Sequence, residues 1–375
     1  MGRFRWRRRE LTLSQRDSIW GYLFVALPTI GFVVFAAGPL IASVIFSFAD
    51  WDLLRDPQWI GLDNWRKLLT LTVQNVPQEI DETTGEPLYL CARQKVPESE
   101  ARALEGQIPC QPRYVQERDV LPKGYRTALE FSLGSNHYLI GSRDPLFWES
   151  LYNTIFMLLG IPISLAIALL LAIALNQKIR GKSVYRMLYY VPVVLPIAAT
   201  SLIWMWIFNP NFGILNYGLS QLGLPSNIDW LQNRHTVKPA LMIMGIWGGL
   251  GYQMLIFLAG LQNIPAHLYE AAKIDGAGFW AQFRHITWPS LTPTTFFLLI
   301  TGLIGGFQVF AQPYIMTNGG PYNSSRTVVM VIWTNAFRDL QMGYASAQAW
   351  TLGMLIMILT AVNFVMARRW VYLEA

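Results

Sequence analysis

Asn176-Gln-Lys-Ile-Arg-Gly181-Lys182-Ser183 comes within one position of a phosphate-binding loop, with Asn176 where the first glycine would stand. Such a loop cradles phosphates only when a parallel strand precedes it and a soluble α/β core follows. Here an uncharged run of membrane length precedes it and another begins within a few residues, so it reads as a basic loop without ATPase chemistry. His137, His235, His267 and His285 share no metal spacing, and none pairs with a nucleophile in an elbow; neither Gly-x-Ser-x-Gly nor His-Glu-x-x-His occurs. Cys91 and Cys110 lack the further ligands that a tetrahedral metal shell needs. The expectation is a chain with no catalytic residue, no metal and no cofactor of its own.

What carries information instead is apolar length. Charged residues make up 14% of the chain and apolar ones 53%, against roughly 25% charged in a soluble domain. Six windows hold no Asp, Glu, Lys or Arg: Ser18–Ala49, Ser150–Gln177, Met187–Ile228, Pro239–Tyr269, His285–Ser325 and Leu340–Ala367. Each is long enough for a helix of about 20 residues across a bilayer. Turn sequences end the third helix near Phe208, before Asn209-Pro210-Asn211-Phe212-Gly213, and the fifth near Thr317. The net charge of +6 does not form a nucleic-acid stripe but sorts by loop. Fourteen Lys/Arg fall in the N-terminal segment, the loop after the second window, the loop after the fourth, and the C-terminal end; the two short loops opposite hold four. Both termini are therefore expected in the cytoplasm. The uncharged run after the basic start exceeds a signal-peptide core of roughly 7–15 residues, so an uncleaved first helix is expected. Ionisable residues inside the spans, the usual signature of ion-coupled carriers, are absent from all six windows.

Between the fourth and fifth windows lies Asn263 to Pro293. Pro265 suits a first helical turn with Asn263 as a possible cap, and Ala266 to Ile274 is compatible with a helix. Asp275-Gly276-Ala277-Gly278 breaks it, and Phe279, Phe283 and Ile286 recur at helical spacing on a second short helix, with Pro289 and Pro293 restarting the chain. Two short helices on a glycine elbow at a membrane surface form a docking element. Glu270-Ala271-Ala272, three residues, Gly276, nine residues, then Ile286-x-x-Pro289 resembles the cytoplasmic coupling loop of permease subunits of ATP-binding-cassette sugar importers. Thr317-Asn318-Gly319-Gly320-Pro321 and Gly343-Tyr344-Ala345-Ser346-Ala347 look like further marks of the carbohydrate-uptake group.

The resemblance implies an all-α membrane protein with the six-helix importer permease fold. It also implies a second homologous permease subunit, an ATPase dimer carrying ATP and Mg, an extracytoplasmic solute-binding protein and a bacterial plasma (inner) membrane. ATPase coupling would fall to Glu270, Ala271, Ala272, Asp275, Gly276, Gly278, Phe279, Phe283, Ile286 and Pro289, with Phe279 and Phe283 anchoring the second short helix to the membrane helices. The substrate path, by the same resemblance, would include Asn209, Phe212, Gly213, Gly306, Phe307, Gln308 and Val309. Around Gly302, Gly305, Gly306 and Val309 this chain departs from the maltose-type pattern, which has polar or aromatic groups there. Further amides and hydroxyls suited to a neutral polar solute are Asn153, Thr154, Ser164, Asn216, Gln253, Gln262, Gln312 and Asn363, though each can equally bond across helices.

The domain reading is a basic cytoplasmic tail (1–17), a first helix (18–49), an extracytoplasmic loop with an insertion (50–148), and a five-helix core (149–375) containing the coupling loop (263–290). The loop 50–148 has fifteen acidic and eleven basic residues. Trp59–Trp65 and Asp144–Thr154 resemble pieces that stand nearly adjacent in related importers, so 70–143 reads as a small mixed insertion with a helix near Glu98–Glu105 and several strands. Outside the cytoplasm Cys91 and Cys110 would bridge; two free thiols are the alternative. The expected function is a permease subunit for a sugar or polyol, the alternative a self-contained secondary carrier. A membrane-bound enzyme lacks any catalytic cluster.

Overall fold

The computed structural model describes residues 12–92, 94–104, 108–133 and 136–371; the arginine-rich start through Leu11 lies outside the described residues. Helices α1 (Leu13–Phe32) and α2 (Gly38–Phe46) join through a π turn at Val33–Ala37 into one apolar rod. Pro39 has no N–H to continue the ordinary ladder, and the turn before it relaxes so that Gly38 N–H reaches Val33 O. None of this rod's residues from Trp20 to Phe46 is buried, and the rest of the chain meets it near Ser43, whose Oγ accepts from Trp350 Nε1 at 3.0 Å.

A mixed segment follows. The short pair β1 (Ala49–Asp50) and β2 (Gln58–Trp59) leads to α3 (Asp63–Leu69) and β3 (Leu71–Val76). Next come β4 (Leu88–Cys91), β5 (Gln94–Pro97), α4 (Glu98–Ala103), β6 (Cys110–Pro112), α5 (Glu117–Val120), β7 (Arg126–Leu133) and β8 (Asn136–Ser142). Two antiparallel three-stranded sheets result, ordered β3-β8-β7 and β5-β4-β6. Leu71 pairs with Ser142, so the chain leaves and re-enters the helical body at one place. Cys91 pairs with Cys110 across β4 and β6, and a disulfide joins them at a Cα separation of 4.3 Å. Helix α4 is where the sequence places one, although Glu105 lies outside the described residues.

Asp144 caps α6 (Pro145–Leu158), its Oδ1 accepting from Phe147 N at 3.1 Å with Pro145 at the first helical position. Helix α7 (Gly160–Asn176) continues it into a span of 32 residues. The third window does not form one straight helix. Helix α8 (Lys182–Val194) and α9 (Ile197–Ile207) meet at a 102° bend, because Pro196 holds Leu195 in extended backbone (φ −75°, ψ 137°). A short α10 (Ile214–Gln221) precedes α11 (Val237–Gln262), then α12 (Ala266–Ile274) and α13 (Phe279–Gln282). Helix α13 runs through a π turn, Phe283–Thr287, directly into α14 (Trp288–Phe307), so no restart occurs at Pro289 or Pro293. The fifth helix ends ten residues earlier than the turn signal implies, and α15 (Ala311–Thr317) is separate. Helix α16 (Val328–Trp333) with its π turn Thr334–Arg338, then α17 (Met342–Ala367), complete the chain.

Among the described residues, five helical rods are long and apolar enough to cross a membrane, or six if the bent pair counts as one. They reach past the uncharged windows: the second rod contains Glu149 and α11 contains Lys238. Helix α11 is the hub. Met254, Phe257, Leu258 and Leu261 bury against Leu165, Ala168, Leu169 and Ala172 of α7 and Leu291 and Leu298 of α14. Gly251 lets α8 lie directly on α11, since a Cβ there would stand 2.2 Å from Tyr189 O.

Candidate functional site

The linker between α11 and α14 is built from the cap upward. Asn263 closes α11, its N–H pointing back to Ala259 O and Gly260 O, and makes no cap for α12. Pro265 occupies that cap position, and Ile264 buries behind it. Helix α12 ends in a Schellman closure: Ala277 N–H reaches Ala272 O at 2.8 Å and Gly276 N–H reaches Lys273 O at 3.1 Å. Gly276 supplies the left-handed residue this closure needs, at φ +77°. Gly278 is different. Its backbone is extended (φ −73°, ψ 174°) and open space surrounds it, so nothing there demands glycine. Gln282 Nε2 donates to Ala277 O at 2.7 Å and ties the elbow to α13.

One side of this linker is fastened to the helical body. Leu268, Tyr269, Phe283 and Ile286 pack on the α7–α11–α14 core, and the Tyr269 hydroxyl lies 2.9 Å from Thr287 Oγ1. The other side is open: Glu270, Ala271 and Asp275 are exposed, as are Ile274 (87%), Phe279 (68%) and Trp280 (69%). Phe279 therefore does not anchor the second short helix; Phe283 and Ile286 do so. The result is a rigidly attached knob with an apolar, partly charged tip.

A second feature is a cleft of about 190 Å³ between α6, α7, α11 and α14. Ser164, Gln253 and Gln312 supply its polar groups, and Gly306 and Val309 line it. Ser164 Oγ donates to Gln253 Oε1 at 2.6 Å, and Gln312 Nε2 to Leu241 O at 2.6 Å. Gly302 and Gly306 let α14 approach α6 and α7; at Gly306 a Cβ would stand 2.4 Å from Leu158 Cδ2. Phe307, 1% exposed, is locked among Leu68, Phe147, Val328 and Tyr344 and is closed to a solute. Gln308 is exposed. Asn209 serves its own turn, Oδ1 accepting from Asn211 N and Phe212 N, while Phe212 projects outward and Gly213 fits under Asn209 O. The residues expected to form one path thus divide: Gly306 and Val309 join the cleft, and Asn209, Phe212 and Gly213 form a turn apart from its lining.

Residues 154–372, which contain both the knob and the cleft, match one family description: "Binding-protein-dependent transport system inner membrane component". The chain belongs to that family. The full length is similar to a probable ABC transporter permease protein, YesP of Bacillus subtilis, 30% identical over 365 residues and covering 96% of this chain and 94% of the relative. The lactose transport system permease protein LacF of Rhizobium radiobacter is 35% identical over 246 residues, 64% of this chain and 82% of its own. A crystal structure of a bacterial ABC transporter involved in import of the acidic polysaccharide alginate shares the fold, with TM-score 0.63 at 18% identity over 94% of this chain and 96% of the other.

In this inner-membrane component, the structure adds polar networks that sequence reading missed. Asp144 Oδ2 accepts from the Tyr344 hydroxyl at 2.6 Å and Gln348 Nε2 at 2.8 Å, and Asn335 Nδ2 donates to Gln348 Oε1 at 2.8 Å. Tyr344 belongs to the Gly343–Ala347 motif, and Lys67 lies 3.9 Å above its ring. Gly343 is required there because a Cβ would meet Ala49 O at 1.9 Å. A second network centres on Asn153, which donates to Asn323 O and Arg326 O and accepts from Lys238 Nζ at 2.9 Å. Asn153 was legible as an amide; its partners, 85 to 173 residues away, were not.

Proposed function

We propose that this chain is the permease subunit of an ATP-driven importer for a sugar or sugar-like polyol, its knob Ala266–Gln282 seated in an ATPase subunit. The observation that carries the reading is the contrast between the knob's two sides. Tyr269, Phe283 and Ile286 fasten it to the bundle, while Ile274, Phe279 and Trp280 offer solvent a tip whose apolar area a partner would cover. Glu270 would bond groups of that partner, with Ala271 and Ala272 allowing close approach and Asp275 and Gly276 shaping the end of α12. Motion of the ATPase pair would pass through Phe283, Ile286 and Pro289 into α14, which is continuous with the knob.

The cleft is half of a path. At about 190 Å³ it is smaller than ordinary ligand pockets of roughly 300–1,000 Å³. A second, similar permease would complete it and cover part of the bare first rod, with lipid on the remainder. The sorting of Lys and Arg favours cytoplasmic termini and knob and the β-rich segment outside, where a solute-binding protein would dock, and the family description with its bacterial relatives supports a bacterial inner-membrane location. The relative named for lactose transport supports the saccharide class. ATP and Mg would belong to the ATPase subunits.

The test is the reconstituted complex carrying Glu270→Ala with Gly276→Pro, since proline cannot reach φ +77°. Substrate-stimulated ATP hydrolysis should be lost while the subunits stay assembled. Uptake that persists without ATP would return the chain to the class of secondary carriers.

A further inference from the structure

Two amides that line the cleft between α6, α7, α11 and α14 each keep one polar atom unspent. Gln253 Oε1 is taken by the Ser164 hydroxyl at 2.6 Å, but Gln253 Nε2 donates to no described residue. Gln312 is the complement: its Nε2 donates to Leu241 O at 2.6 Å, and its Oε1 accepts from no described residue. Neither unspent atom is sealed from open space. The bonds to Ser164 and Leu241 fix both amides, so the free ends are pre-positioned. Helix α11 presents no Cβ beside them. A Cβ at Gly249 would lie 3.4 Å from Gln253 Nε2, and one at Gly245 would lie 3.8 Å from Gln312 Oε1. These two glycines are one helical turn apart, a separation of about 6 Å on a helix surface.

One fixed donor and one fixed acceptor beside a bare glycine face suit a ligand whose groups both donate and accept, which is the property of a hydroxyl. No Asp, Glu, Lys, Arg or His lines the cleft, and its walls are mostly aliphatic, Ile161 and Met242 among them. A carboxylate or phosphate placed there would give up its water without meeting a counter-charge. Resting on the importer reading above, we propose that Gln253 and Gln312 are the specificity-determining residues of this cleft, and that it admits uncharged polyhydroxylated solutes while rejecting their acidic counterparts. Gln253 Nε2 donates to one solute hydroxyl and Gln312 Oε1 accepts from another. The C–H faces of the solute pack on Ile161 and Met242.

Three disaccharides of one shape test this: cellobiose, its acidic analogue cellobiouronate, and the cationic dimer of glucosamine. Their equilibrium binding to the purified full transporter in nanodiscs is read without ATP turnover, so its outcome is separable from that of the coupling experiment. Cellobiose should bind more tightly than either charged sugar. Gln312→Leu should weaken cellobiose about tenfold, the value of one lost hydrogen bond with its partner left unpaired. Gln253→Glu keeps an acceptor for Ser164 Oγ but replaces the free donor with a carboxylate oxygen. It should reverse the order and place the glucosamine dimer above cellobiose, a gain that lost packing or misfolding cannot mimic. Equal binding of the neutral and acidic sugars, binding of none of the three, or an order that Gln253→Glu leaves unchanged overturns the proposal.

Discussion

The elbow of the knob offers a contrast between two glycines two residues apart. A Cβ at Gly276 meets nothing within 4 Å, so the cost of Gly276→Ala is purely conformational. At φ +77° an L residue pays roughly 1–2 kcal/mol. Alanine's smaller unfolded-state entropy returns part of this, leaving about 1 kcal/mol against the folded elbow. That corresponds to about a fivefold shift in the opening equilibrium. Gly278→Ala costs none of this, because its backbone is extended and its surroundings open. Amide hydrogen exchange reads the difference directly. The Gly276 and Ala277 N–H groups hold the Schellman bonds, so in Gly276→Ala residues 276 and 277 should exchange about five times faster. Gly276→Asn should fall between, since asparagine tolerates the left-handed region better than alanine. Equal exchange in the two alanine variants, or no change in either, would falsify the assignment of the strain to Gly276.

Three further outcomes follow from other parts of the chain. Replacing Cys91 and Cys110 by serine should destabilise the β-rich segment by roughly 3 kcal/mol for a 19-residue separation, seen as faster proteolysis within 71–142 while the knob's exchange is unchanged. Phe307→Ala should cost about 3–5 kcal/mol through a cavity among Leu68, Phe147 and Val328, read as a lowered melting temperature, whereas Gln308→Ala, exposed, should be near neutral. Hydrogen bonds from Lys95 and Arg113 hold the Glu79 carboxyl below the ordinary range. A depressed carboxylate stabilises above its unfolded value, here 4.5, and that contribution fades as the pH falls through the folded value. Melting of the β-rich segment between pH 7 and 3 should therefore drop more steeply in wild type than in Glu79→Gln.

Features that depend on local composition were legible along the chain. Uncharged length gave apolar rods, because a bilayer-sized run has few other stable forms. Gly276 after a helical stretch gave the elbow, because only the left-handed region closes a helix that way. The break at Pro196 was not read from the sequence, because whether a proline kinks or merely dents a helix depends on what packs around it, and the 102° bend shows only in the folded chain. The same holds for side chains. Phe279 and Phe283 share a helical stripe, but the π turn and the curvature of the linker bury one and bare the other. Lys238 lay just beyond an uncharged window and was counted with a short loop, and Glu149 stood at the first position of the five-helix core. Only folding set Asn153, Asn323, Arg326 and Lys238 around one node, because hydrogen bonds spanning 85 to 173 residues leave no periodicity in the chain. Local chemistry can be read in order along a sequence; the charge environment of a pocket is decided by which distant segments come to share it.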